Sequence, residues 1–401
     1  MFWRTKRGAN CLAVDLGTEY IKALVFSVDE EKIDIKSKFK VKREVKNLGA
    51  NEIIKILKDL IYRAEKKSSA KISSLTIGFS GNFLKGNITA YSYCRPNPQD
   101  EIIISEIENI IQKSQWKALD ILRKDFFSSA DFDFLKIVDA QVLRIILDKK
   151  DVESPIGGQG ENLVLEIANS ATSKENYDII KKVASDLKIE SKIVSLPCAV
   201  ANLIKTEGSM ETDALIIDAG SSATVVSVLK NGLICFSESF PLGGEAFSKK
   251  ISEIFSIPAS SAEKIKIKYA GGNLSGGVNF KLRSILKEDA RIWSKAIKIA
   301  LEKFLKFQIF HPSAIYLLGG ASQLPEVKEA VQIMAGDFKN RYVPVVALSG
   351  EIFYSKIKNS GEVQLGVDDV ACFGLASLAL NKHNGFIEQT LKRANRIIQE
   401  G

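Results

Sequence analysis

The sequence predicts an α/β protein of two lobes, with a small α+β insertion. Two observations predict it: a duplicated strand-turn-strand unit carrying Asp-x-Gly, and an alternation of strand-like and helix-like segments along most of the chain. The duplicated stretches are Leu12-Ala-Val-Asp-Leu-Gly-Thr18 and Ala214-Leu-Ile-Ile-Asp-Ala-Gly-Ser-Ser222. Each apolar run resumes beyond its turn, at Tyr20 to Val28 and at Ala223 to Leu229. A carboxylate at a strand end can hold a hydrated divalent cation, and the glycine lets backbone N–H groups approach an anion unobstructed. Two such hairpins facing each other would clamp the phosphates of one nucleotide.

The elements follow in order. Asn51 to Ser68 has helical periodicity, and Leu75 to Phe79 reads as a buried strand ending in a Ser-Gly-Asn turn. Ile102 to Leu122 is a second amphipathic helix. Phe126 to Phe134, the strand-like Lys136 to Leu147, the glycine-rich Pro155 to Gly160 and the strand Asn162 to Ala168 have a different texture and read as the insertion. Helix (Glu175 to Leu187), strand (Lys192 to Ser195) and a helix opened by Leu196-Pro197 lead to the second hairpin, the proline sitting where its missing N–H costs nothing. Glu245 to Ala300 is mostly helical, broken at Ala270 to Gly277 by a surface turn. The third element, Ala314-Ile-Tyr-Leu-Leu-Gly-Gly-Ala-Ser-Gln-Leu-Pro325, runs a strand into two glycines and a helix start, which suits close backbone approach to a flat ligand.

Composition excludes more than it selects. With 401 residues and 45% hydrophobic content the chain can bury several cores. No apolar run approaches the roughly 20 residues that cross a bilayer, so a cytoplasmic protein is expected. The five cysteines are scattered and mostly in apolar runs, and the two histidines, His311 and His383, have no ligand set nearby. The net charge of +8 is spread among almost as many acids and reads as a solvated surface, with no nucleic-acid partner. Two places depart from this: Phe2 and Trp3 beside Arg4, Lys6 and Arg7, and a C-terminal amphipathic helix, Gly385 to Gln399, whose Phe386, Ile387, Leu391, Ile397 and Ile398 would enter a lipid surface beside Lys392, Arg393 and Arg396. Its alternative is a final helix packed back on the first lobe.

The ordered set, Asp15-Leu-Gly-Thr18 with Lys22, Pro197-Cys-Ala-Val-Ala201, Asp218-Ala-Gly-Ser-Ser222, Leu318 to Pro325 and Gly374-Leu-Ala-Ser-Leu378, resembles the five-motif pattern of the actin, sugar-kinase and heat-shock-chaperone ATPase superfamily. Within it the position of the insertion, together with Gly243-Gly-Glu-Ala-Phe-Ser-Lys-Lys-Ile251 and Ser260 to Lys266, is similar to the bacterial cell-division family FtsA; the pilus-assembly family PilM shares that position. The resemblance implies an actin-like ATPase fold of two ribonuclease H-like lobes. Its divisions would be 1–97, 163–205 and 346–384 for the first lobe, 98–162 for the inserted domain, 206–242 and 305–345 for the second lobe, 243–304 for its helical subdomain and 385–401 for the terminal helix.

The same resemblance implies ATP and Mg²⁺ as cofactors. Asp15 and Asp218 would hold Mg²⁺ through water, while Gly17, Thr18, Gly220, Ser221 and Ser222 cradle the phosphates and Lys22 returns toward them. Glu263 and Lys266 would meet ribose and adenine over a floor of Gly319 and Gly320, with Gly243, Gly244 and Ser322 completing the site. The implied partners are the C-terminal tail of an FtsZ-like tubulin homologue, further copies in a filament, and the inner face of the cell membrane. The alternative is a PilM-like scaffold binding the cytoplasmic tail of an inner-membrane pilus protein. Three departures stand out: Glu19-Tyr20 beside the first turn, Ser221-Ser-Ala-Thr-Val225 in place of a glycine-rich run, and only Asn202 and Lys205 where actin orients the attacking water. Slow or absent hydrolysis is expected, with no catalytic residue assigned.

Overall fold

The computed structural model describes residues 8–29, 31–43, 49–79, 85–126, 135–306, 309–338, 342–380, 390–391 and 393–394. The expected N-terminal basic-aromatic motif, the turn after Phe79 and most of the terminal helix lie outside them.

Two sheets of the same strand order are laid down by the two halves of the chain. In the first, β1 (Asn10–Leu16), β2 (Tyr20–Asp29) and β3 (Lys32–Lys42) are antiparallel neighbours, and β4 (Ile72–Phe79) and β9 (Glu190–Ser195) continue parallel to β1. In the second, β10 (Ala214–Ala219), β11 (Thr224–Lys230) and β12 (Leu233–Phe240) form the antiparallel meander, with β13 (Ala314–Leu318) and β14 (Val345–Ala347) parallel to β10. A two-residue strand, β15 (Ile357–Lys358), edges the first sheet beside β3.

Period-two burial explains why both strands of each hairpin are almost wholly apolar. Along β1, Cys11 and Ala13 face one core while Leu12, Val14 and Leu16 face another; along β10, Ala214 and Ile216 face the first of these cores and Leu215, Ile217 and Ala219 a third. The shared core is filled by α4 (Leu196–Glu207) and α9 (Val370–Ser377), which lie between the sheets. Outside the first sheet sit α1 (Ala50–Ser68), whose Ile53, Ile54, Leu57, Leu60 and Ala64 form one buried stripe, and α3 (Lys174–Asp186), capped by the Ser173 hydroxyl. Outside the second sheet sit α5 (Gly244–Phe255), α6 (Ala259–Ala270), α7 (Gly276–Leu305) and α8 (Pro325–Ala335).

The insertion is a sheet of β5 (Lys85–Cys94), β8 (Asn162–Ser173), β6 (Leu135–Leu147) and β7 (Lys150–Asp151), covered by α2 (Ile104–Phe126). β5 and β8 extend to either side of the 98–162 span expected from the sequence. Ser237 of β12 pairs with Gly86 of β5, so the second sheet runs on without a break into the inserted one, nine strands in all among the described residues. Glu238, buried at this seam, is held by Lys85 from the insertion and, at 3.4 Å, by Lys303 from α7.

Of the expected terminal helix, Thr390, Leu391, Arg393 and Ala394 are described as helical. Leu391 and Ala394 are buried in the core of the insertion, and Arg393 stands 3.9 Å from Glu108 of α2. In this structure Leu391 therefore packs on protein, but on the insertion and not on the first lobe that the alternative in the sequence reading names.

Candidate functional site

Register decides which side chains reach the cleft. Asp15 continues the inward-facing set of β1 after Cys11 and Ala13, and Asp218 continues that of β10 after Ala214 and Ile216, so the two carboxylates face the same interlobe space. Lys22 is the antiparallel partner of Asp15 and shares its face. Its ammonium lies 3.7 Å from the Asp15 carboxylate and donates a 2.7 Å hydrogen bond to the Asp368 carbonyl.

The turns meet. Thr18 Oγ1 and Ser222 Oγ share a 2.7 Å hydrogen bond across the cleft, and the Ser221 hydroxyl donates to Glu19 Oε2 at 2.5 Å. Gly17 and Gly220 close their turns tightly: a Cβ on Gly17 would stand 2.5 Å from the Tyr20 carbonyl, and Gly220 donates to the Ala223 carbonyl at 3.1 Å. The start of α5 is tied to the second turn by Gly244 N–H to the Gly220 carbonyl and Glu245 N–H to the Ser221 carbonyl, both 2.9 Å.

At the far wall, Gly319 adopts φ +88°, and a Cβ there would stand 2.4 Å from Asp218 Oδ1. Only glycine fits that turn at normal cost. Gly320, by contrast, has nothing within 4 Å of its notional Cβ and offers an open backbone surface. Lys266 of α6 lies 2.8 Å from Glu263 and donates at 2.8 Å to the Gly244 carbonyl.

These residues bound a cavity of about 260 Å³. That is near the lower edge of the ~300–1,000 Å³ usual for ligand sites, as the contact between the two turns would produce. Thirteen of the fifteen expected residues line it: Asp15, Gly17, Thr18, Lys22, Asp218, Gly220, Ser221, Ser222, Gly244, Glu263, Lys266, Gly319 and Gly320. Gly243 sits behind the wall, its Cβ position 2.4 Å from the Ser221 carbonyl, and Ser322 is buried with its hydroxyl donated to the Gly319 carbonyl at 2.6 Å. Glu19, Lys40 and Asp368 also line the cavity. Asp368 was not singled out in the sequence; the signal available was Leu365-Gly-Val-Asp-Asp369, an acidic turn opening α9. Asn202 and Lys205 do not line it: Asn202 donates to Ser377 at 3.0 Å and the Lys205 stem packs on Gly232.

The electrostatics suit a cation. Burial and the neighbouring Asp15 charge push the Asp218 carboxyl up to about 6, and burial also raises Asp15, against the pull of Lys22. Burial pulls Lys22 down, but the carboxylates of Asp15 and Asp368 outweigh it and leave it raised. Burial raises Asp368, yet its hydrogen bond from Lys40 and the charges of Lys22, Lys40 and Lys38 leave it lowered. Two buried carboxylates that repel each other over one cavity favour an added divalent ion, which fits Mg²⁺ at Asp15 and Asp218.

Residues 215–359 match the family model described as "Cell division protein FtsA". The chain is 23% identical over 354 residues to the FtsA of Streptococcus pneumoniae, covering 82% of this chain and 75% of that protein. It is 26% identical over 268 residues to the FtsA of Neisseria meningitidis, covering 64% and 60%. Among solved structures, a chain of a "PilM-PilN type IV pilus biogenesis complex" superposes with a TM-score of 0.65 at 15% identity, over 93% of this chain and 99% of that one, a likeness of fold. The chain is thus similar over most of its length to the FtsA cell-division proteins, and its fold is that of the actin-like ATPases.

Proposed function

We propose that the chain is an actin-like cell-division protein that binds ATP with Mg²⁺ between its lobes. The observation that carries the nucleotide reading is the convergence of Asp15 and Asp218 on one cavity, with the Gly319 turn against Asp218 and two Ser/Thr-bearing turns beside them. Asp15 and Asp218 hold the hydrated cation, the turn N–H groups and hydroxyls take the phosphates, and Gly319 and Gly320 lie under the adenosine. In this reading the protein assembles head to tail, as a heterologous interface does when repeated, and links the ring of an FtsZ-like tubulin homologue to the inner face of the membrane. The names of the curated relatives support the division role. Asp218→Ala abolishes Mg-dependent ATP binding while the protein keeps its fold by circular dichroism; unchanged affinity in the folded variant overturns the reading.

One observation favours the second reading, a PilM-like scaffold that captures a membrane protein's tail. Leu391 and Ala394 are buried in the insertion rather than displayed to lipid. Co-sedimentation with anionic liposomes, comparing the full chain with one ending at Lys382, separates the two. Pelleting that needs lipid and the last segment supports the tether, and a supernatant protein under all conditions supports the scaffold.

A further inference from the structure

The cleft is more acidic than a polyphosphate site needs to be. Its lining side chains include five carboxylates, of Asp15, Glu19, Asp218, Glu263 and Asp368, against three ammonium groups, of Lys22, Lys40 and Lys266. All three cations are engaged: Lys22 with Asp15, Lys40 with Asp368 at 2.9 Å, Lys266 with Glu263. In the nucleotide reading Asp15 and Asp218 have a use, since they would hold the hydrated cation. Glu19 has none of that kind.

Glu19 follows Thr18 at the tip of the first turn, and its side chain neither leaves the cleft nor sits against a full counter-charge. It is mostly buried, accepts the Ser221 hydroxyl from the opposite turn, and has Lys42 at 3.8 Å, a side chain 65% exposed and so well screened. Glu245 approaches the same Ser221 hydroxyl at 3.3 Å. A ligand whose phosphates run between the two turns places its terminal group where Thr18 now meets Ser222 and Glu19 meets Ser221. Like charges a few ångströms apart in a partly desolvated cleft repel strongly, and each phosphate added at that end raises the repulsion.

We propose that Glu19 sets the phosphate specificity of the cleft, holding a carboxylate at the terminal-phosphate position so that a nucleoside diphosphate binds more tightly than the triphosphate. The proposal rests on the nucleotide reading of the cleft. It is a discrimination by repulsion: the contacts to the remaining phosphates are unchanged, and the rejected ligand is the one that meets a carboxylate whose ion pair, to Lys42, is long and exposed. A site of this kind responds to the ratio of the two nucleotides and not to their sum.

The test is calorimetric titration of the full chain, in Mg²⁺ buffer, with ADP and with the non-hydrolysable imido analogue of ATP. The wild type is expected to bind ADP at least tenfold more tightly. Glu19→Gln keeps the shape and the hydrogen bond from Ser221, and is expected to strengthen analogue binding at least fivefold while changing ADP less than twofold. A wild type that binds both equally or favours the analogue, or a Glu19→Gln protein with the wild-type ratio, overturns the role of Glu19. Binding of neither nucleotide by wild type and Glu19→Gln alike overturns the nucleotide reading itself and the proposal with it.

Discussion

The indole N–H of Trp293 donates a 2.7 Å hydrogen bond to Thr224 Oγ1, and that hydroxyl donates in turn to the Leu242 carbonyl at 2.6 Å. The chain of two bonds joins the middle of α7 to the first residue after the second turn and to the strand end that leads into α5. Trp293 and Thr224 are both buried, so neither side chain's polar group has water as an alternative.

Trp293→Phe is therefore expected to destabilise the protein by about 2–4 kcal/mol, the sum of a lost buried hydrogen bond and a small cavity. Thr224→Ser keeps the hydroxyl and is expected to cost less than the indole loss. Urea unfolding of the two variants, read as midpoint at unchanged slope, checks the order.

The Asp218 carboxyl titrates near 6 against 3.8 for an ordinary aspartate. A raised folded-state pKa means that the stabilising contribution is fully present below the unfolded value and is lost as pH rises through about 6. Without nucleotide or metal, Asp218→Asn is expected to raise stability at pH 7.5 by up to about 3 kcal/mol, at 1.36 kcal/mol per pKa unit, and to leave it nearly unchanged below pH 4. Thermal unfolding across that range checks both limbs. A gain that is the same at both pH values would remove the titration from the account.

Gly319→Ala is expected to lose nucleotide affinity and about 1–3 kcal/mol of stability, because the added methyl meets Asp218 and the Ala219 carbonyl at positive φ. Gly320→Ala, one residue on, meets nothing within 4 Å and is expected to fold as well as the parent. Melting temperature separates the neighbours, and nucleotide titration of Gly320→Ala reports how closely a ligand passes that backbone.

Leu391→Ala is expected to cost about 2–4 kcal/mol of stability, since the side chain is fully buried in the core of the insertion. Arg393→Ala is expected to change it by less than about 0.5 kcal/mol, its 3.9 Å pair with Glu108 being exposed on both sides. Equal effects of the two would show that the segment is not docked as the structure has it.

What was legible in the sequence is what local patterning writes. The two hairpins were readable because apolar strands, an Asp-x-Gly turn and a second apolar strand are contiguous, and the inward register of Asp15 and Asp218 follows from counting by twos along β1 and β10. Lys22 reached the cleft for the same reason: it is the register partner of Asp15 in a hairpin. Asp368 was hidden because its contact with Lys22 joins residues 346 positions apart, and no pattern spans such a distance. Ser322, placed at the site by the resemblance alone, is buried, and the Gly319 carbonyl accepts its hydroxyl. The edges of the insertion were hidden too, since β5 and β8 are ordinary strands whose partners lie in each other and in β12.

The pairing of Ser237 with Gly86 gives the molecule a mechanical property. A hydrogen-bonded sheet resists shear between adjacent strands, so a shift of β12 is passed at this one pair to the four strands beyond it. The outermost of these, β7, stands four strand spacings from β12, about 19 Å at ~4.8 Å each. A tilt of the second lobe by ~10° on closing over a ligand would carry that edge by about 3 Å. The insertion also rests on the first lobe, where Val138 of β6 packs on its core, so a change in the opening between the turns that bear Thr18 and Ser222 would load both of its attachments.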